Sequence, residues 1–139
     1  MKILLAACNA KYIHSNLAVF NLKAYAKEYD SQVVLREYTI NQLKDDILKD
    51  IYRCHPDVVC VSCYIWNITF VRELMQDLRK ILPDVPFWAG GPEVSYETEA
   101  FLREHPFVTG VMVGEGEQSF SELCEYYVNE ERRDGLKAE

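Results

Sequence analysis

The sequence predicts an α/β fold: a doubly wound, five-stranded parallel sheet with helices on both faces. Three observations carry this prediction. Short apolar stretches begin near residues 2, 32, 57, 86 and 108, and between each pair lies a segment with helical character. Strict alternation of this kind gives parallel strands joined by right-handed crossovers. Length is the third observation. At 139 residues the chain suits one domain, which buries roughly two-thirds of its unfolded surface on folding.

The elements follow in order. KILLAAC (2–8) is apolar without alternation, as a strand covered on both faces requires. A polar loop leads to LAVFNLKAYAKEY, a helix from Leu17 whose first turn Ser15 or Asn16 can cap. QVVLREY (32–38) is the second strand. In NQLKDDILKDIYRC, Leu43, Ile47 and Ile51 recur every four residues and predict a helix with one buried stripe. His55-Pro56 ends that helix, because a residue before proline avoids the helical region.

DVVCVSCY (57–64) is the most continuously apolar strand and therefore the central one. Asn67 is placed to cap the next helix, whose stripe is Val71, Leu74, Met75, Leu78 and Leu82. PDVPFWAGG turns into a fourth strand ending at Gly90, and a short helix spans Glu97 to Glu104 before His105-Pro106 breaks it. FVTGVMVGEGE supplies the fifth strand and its exit loop. The last helix carries Phe120, Leu123, Cys124 and Tyr127 on one face. NEERRDGLKAE, residues 129–139, has no apolar period and reads as a polar tail or linker after a domain of residues 1–128. Five strands of this kind fit the flavodoxin-like order 2-1-3-4-5.

Charge narrows the function. With 15 Lys+Arg against 22 Asp+Glu the net charge is −7, which opposes the basic field that nucleic-acid binding needs. It also disfavours an anionic membrane, and no apolar run approaches the ~20 residues that span one. The apolar start is too short for a signal segment and reads as a strand. Five cysteines, an odd number, suit buried thiols in a reducing cytoplasm. Cys60 and Cys63 form a C-x-x-C, but along a strand their side chains point to opposite faces. They read as structural cysteines rather than as a metal or redox pair.

Ligands of open α/β sheets bind outside the carboxyl ends of the strands. The loops there are CNAKYIHSN (8–16), SCYIWN (62–67), GGPEVSY (90–96) and GEGE (114–117). Four of the six glycines, Gly90, Gly91, Gly114 and Gly116, fall in two of these loops. Glycine there permits positive φ or close backbone approach. The loop after the first strand has no glycine, so the dinucleotide fingerprint G-x-G-x-x-G is absent, as is a phosphate loop. Glu93, Glu115 and Glu117 near helix starts would repel a phosphate. Cys8 and Asn9 stand where a response-regulator receiver carries paired acids, and only Ser15 is near for a flavin phosphate. A large, mostly neutral ligand rich in amide donors fits these loops better.

GGPEVSY after the fourth strand, VGEGEQSF after the fifth and KYIHSNLAVFNL at the first helix are the residues that suggest a family. In this order on the strand ends they resemble the cobalamin-binding domain of radical SAM enzymes, over residues 2 to 128. The resemblance implies cobalamin as cofactor, its nucleotide tail alongside the sheet near Gly90, Gly91 and the Gly114–Glu117 loop. The cofactor-binding residues it implies are His14, Ser62, Tyr64, Trp66, Gly90, Gly91, Pro92, Gly114, Glu115 and Gly116. Ser62 keeps the serine such domains often carry after strand three, while Trp66 stands where their threonine would be.

Two departures shape the expectation. Domains that place histidine on cobalt use D-x-H-x-x-G after strand one; here Tyr12 and Leu17 flank His14 in the Asp and Gly places. A metal-bound histidine also needs an acceptor for its other nitrogen, and none is written beside it. His14 is therefore expected as a loop hydrogen-bonder, with no protein ligand to a metal. The C-x-x-x-C-x-x-C cluster motif is absent, so the iron-sulfur cluster and S-adenosylmethionine would belong to a missing radical SAM barrel. The expectation is an N-terminal cobalamin domain serving that barrel, with methyl transfer as one outcome, and no catalytic residue of its own. The alternative is a module that keeps the fold, binds no cofactor and serves interaction or substrate recognition. The missing D-x-H-x-x-G and bulky Trp66 speak for it.

Overall fold

A computed structural model describes residues 1–9, 27–29, 31–40, 42–63, 67–91, 98–112 and 116–138. The strands are β1 (Ile3–Asn9), β2 (Val33–Thr39), β3 (Val58–Ser62), β4 (Phe87–Gly90) and β5 (Gly110–Met112). All pairs are parallel and the order is β2-β1-β3-β4-β5, as the alternation of elements predicts. The helices among the described residues are α1 (Lys44–Cys54), α2 (Ile68–Ile81), α3 (Thr98–Glu104) and α4 (Gly116–Ala138), with a 3₁₀ turn at Lys27–Tyr29.

Strand alternation divides the core into two layers. Leu4, Ala6, Cys8, Val59, Val61 and Cys63 meet Ile47 and Ile51 of α1 and Val71, Leu74, Met75 and Leu78 of α2. Ile3, Leu5, Ala7, Val58 and Cys60 face the other way, onto Phe120, Leu123, Cys124 and Val128 of α4. Cys60 and Cys63 thus lie in opposite layers, and the five cysteines are free thiols. β3, buried at every position, is the middle strand.

Arg79 secures the end opposite to the strand exits. Its guanidinium donates to the carbonyls of Pro83 at 3.0 Å, Val85 at 2.7 Å and Phe107 at 2.8 Å, and lies 4.2 Å from the Phe87 ring centroid. One planar fork with several donors fixes the turn into β4 and the approach to β5 together.

Two local expectations are corrected, those at Leu43 and Asn67. Leu43 is 72% exposed and precedes α1 in an extended conformation, so the buried stripe is Ile47 and Ile51. His55 ends α1 as expected, in the left-handed region at φ 52°, with its N–H on the Tyr52 carbonyl at 3.1 Å. Asn67 stands at the start of α2 without a side-chain cap bond. Residues 129–138, expected as a polar tail or linker, are helical and continue α4. A segment without an apolar period can still be helical, because Glu, Arg, Leu, Lys and Ala are good helix formers. Val128 still packs in the core, and Glu131 meets the Met1 amino group at 3.1 Å.

Candidate functional site

The carboxyl ends of the strands form one edge of the sheet, and β1 and β3 are the neighbours between which the chain order reverses. Pairing between β1 and β3 runs from Ile3–Val58 to Ala6–Val61 and stops, although β1 continues to Asn9 and β3 to Ser62. Beyond that point a side chain joins them. The Asn67 amide nitrogen donates to the Cys8 carbonyl at 3.0 Å and to the Ser62 carbonyl at 3.2 Å, and the residue is 1% exposed. An asparagine before an apolar stripe reads as a helix cap, so nothing in the sequence shows this amide turned back onto two strand ends.

Between β3 and β4 the ladder runs one residue past the strands. Ser62 is paired in register with Gly90, and the Cys63 N–H donates to the Gly90 carbonyl at 2.6 Å. Gly91 follows with φ +104°, and a Cβ built there would lie 2.4 Å from the Cys63 carbonyl oxygen. A Cβ on Gly90 would lie 3.1 Å from Met112 Cε. Gly91 therefore has a reason inside the chain, since the backbone of Cys63 excludes a side chain there, while at Gly90 a small shift of the Met112 side-chain end would make room.

The same packing leaves a low edge. Ser62, Cys63, Gly90 and Gly91 end β3 and β4 with nothing larger than cysteine. Ser62 is buried to 7% exposure, and burial pushes the Cys8 thiol at the β1 end up to about 12, so it stays neutral. Asn67, Ser62 and the Cys8 thiol put no charge on this edge. A small, uncharged floor suits a broad and largely neutral group such as a corrinoid, whose weight would rest on backbone and small side chains.

Of the residues expected at the site, the structure brings Ser62, Gly90 and Gly91 together. Gly116 opens α4. His14, Tyr64, Trp66, Pro92, Gly114 and Glu115 lie outside the described residues. Among the described residues no cluster of three His, Cys, Asp or Glu could hold a metal ion, and none of their helices is long and apolar enough to cross a membrane.

Comparison with known proteins places this edge in a context. The cobalamin-dependent radical SAM methyltransferase TokK of Streptomyces tokunonensis is 32% identical over 110 residues, covering 73% of this chain and 15% of that protein. The chain thus spans a small part of the length of this relative. The cobalamin-dependent S-adenosylmethionine radical enzyme OxsB, solved with aqua-cobalamin and S-adenosylmethionine bound, matches with a TM-score of 0.74 at 16% identity, over 93% of this chain and 19% of that one. A cobalamin-binding protein from Desulfitobacterium hafniense matches with a TM-score of 0.60 at 15% identity, over 91% of this chain and 58% of that one. At such identities these two structures show the fold alone. The family model described as "B12 binding domain" matches residues 3–124, from the first residue of β1 into α4. The chain belongs to the B12-binding domain family.

Proposed function

We propose that this chain binds cobalamin at the carboxyl edge of its sheet and presents it to a radical SAM barrel for methyl transfer. The observation that carries the reading is the low, neutral edge formed by Ser62, Cys63, Gly90 and Gly91, within the segment that matches the family. Ser62, Gly90 and Gly91 would floor the site. His14, Tyr64, Trp66, Pro92, Gly114, Glu115 and Gly116 would complete it from the neighbouring loops, with His14 off the cobalt. The iron-sulfur cluster and S-adenosylmethionine would reside in the barrel; TokK is named a radical SAM methyltransferase, and OxsB was solved with S-adenosylmethionine bound. Residues 1–128 would form the cofactor domain and 129–139 the lead into the barrel. The net charge of −7 supports a protein that engages neither nucleic acid nor an anionic membrane, and the five free thiols support a cytoplasmic one.

The test is direct. The purified chain is mixed with hydroxocobalamin, passed through a desalting column and its visible spectrum recorded. Retained corrinoid without the shift of histidine ligation is the expected result; a shifted spectrum would put His14 on cobalt. No retained corrinoid would favour the cofactor-free module, in which Gly91 is explained by the Cys63 backbone alone.

A further inference from the structure

We infer that Asn67 is a positioning residue for the cofactor edge: its side-chain amide sets the spacing of the β1 and β3 exits on which a bound corrinoid would rest. The inference rests on the cobalamin-binding reading above. Backbone pairing between these two strands ends at Ala6–Val61, one residue before Ser62 and two before Cys8. At the place where the sheet's connections reverse, Ala6–Val61 is the last register pair of β1 and β3 among the described residues. The Asn67 amide nitrogen spends its two hydrogens on the two carbonyls that lie just past the last rung, Cys8 and Ser62. The bridge is buried, so water does not compete for it.

The residue is also fixed from behind. Its own carbonyl accepts the Val71 N–H at 2.9 Å, the first helical bond of α2. Asn67 therefore couples three elements at one point: the end of β1, the end of β3 and the start of α2. A helix cap would satisfy only α2. Aspartate in its place would set a carboxylate against two carbonyls, and alanine would leave both without this donor. Either change frees the crevice to widen while the layers beneath, held by Val59, Val61 and Val71, remain packed.

The experiment is a titration of the 139-residue chain with hydroxocobalamin, followed by visible absorption and visible circular dichroism. Wild type, Asn67→Ala and Asn67→Ser are compared, and each is melted without ligand. Both variants are expected to unfold cooperatively at lower temperature. Once folded, Asn67→Ala should bind roughly tenfold more weakly, the scale of one lost hydrogen bond. Asn67→Ser, which keeps one donor, should fall between, and the dichroism of the bound corrinoid should change in both. Affinity and dichroism equal to wild type in folded variants would overturn the inference. So would failure of both variants to fold, since Asn67 would then serve the fold and not the site. If wild type itself binds no corrinoid, the cobalamin reading fails and takes this inference with it.

Discussion

Trp88 and Gly110 are register partners on β4 and β5, and the indole of one fills the space a side chain on the other would need. A Cβ on Gly110 would lie 2.5 Å from Trp88 Cζ3 and 2.7 Å from Cη2. The same indole donates its N–H to the Tyr127 hydroxyl at 2.9 Å. One ring thus ties the β4–β5 edge to α4, and the missing side chain at Gly110 makes that possible.

Gly110→Ala should therefore displace Trp88 and cost about 1–3 kcal/mol, the usual penalty for overpacking. Tyr127→Phe leaves the ring seated and removes only its acceptor, a loss of about 1 kcal/mol. Urea unfolding separates the two. Read in a Trp66→Phe background, the emission of Trp88 should shift to the red in Gly110→Ala and barely move in Tyr127→Phe. A Gly110→Ala chain as stable as wild type, with unmoved emission, would show that the ring has room to yield.

Gly91→Ala should destabilise the ligand-free chain by about 2 kcal/mol or more, adding backbone strain at positive φ to a collision with the Cys63 carbonyl. Thermal melting without cobalamin is the check. The result matters for function, because a bulky residue at Gly91 would then abolish binding through the fold and not by filling the site. Unchanged melting would return Gly91 to the role of a glycine kept for ligand approach.

The layers were legible because burial on both strand faces leaves continuous apolar runs, and helix stripes reveal their period. β3 and the stripe from Val71 to Leu78 fall where the runs place them. Cys60 and Cys63, an odd number of positions apart, could be assigned to opposite faces from alternation alone. A four-residue recurrence does not show where burial begins, which is why Leu43 reads as part of a stripe although it is exposed. The site was legible in its location, at the strand ends, and less so in its causes. Gly91 reads the same whether a ligand or the Cys63 backbone excludes its side chain, and Asn67 reads as a cap whichever way its amide turns.

The buried thiols should make stability fall in alkali. Burial pushes Cys8 and Cys124 from the ordinary value of 9.0 up to about 12, and Cys60 higher still, with Cys124 nearby adding to it. A thiol raised in the folded state keeps a proton that the unfolded chain releases. Its contribution is therefore complete below the unfolded value and is lost as pH climbs from about 9 toward 12. Tyr38, raised by burial and by its hydrogen bond to Asp50, adds a loss of the same sign. Denaturation midpoints should be flat near neutrality and decline above about pH 9, and the decline should be shallower in Cys60→Ala and Cys124→Ala. Exposure orders reactivity in the same way. Cys54 is half-buried, while Cys8, Cys60, Cys63 and Cys124 are buried. Iodoacetamide at about pH 8 should label Cys54 first, and the other four only as denaturant opens the chain. Native-state labelling of Cys60 or Cys124 at the rate of Cys54 would mean that α4 lifts from the sheet far more readily than its packing on Cys60 and Ile3 allows.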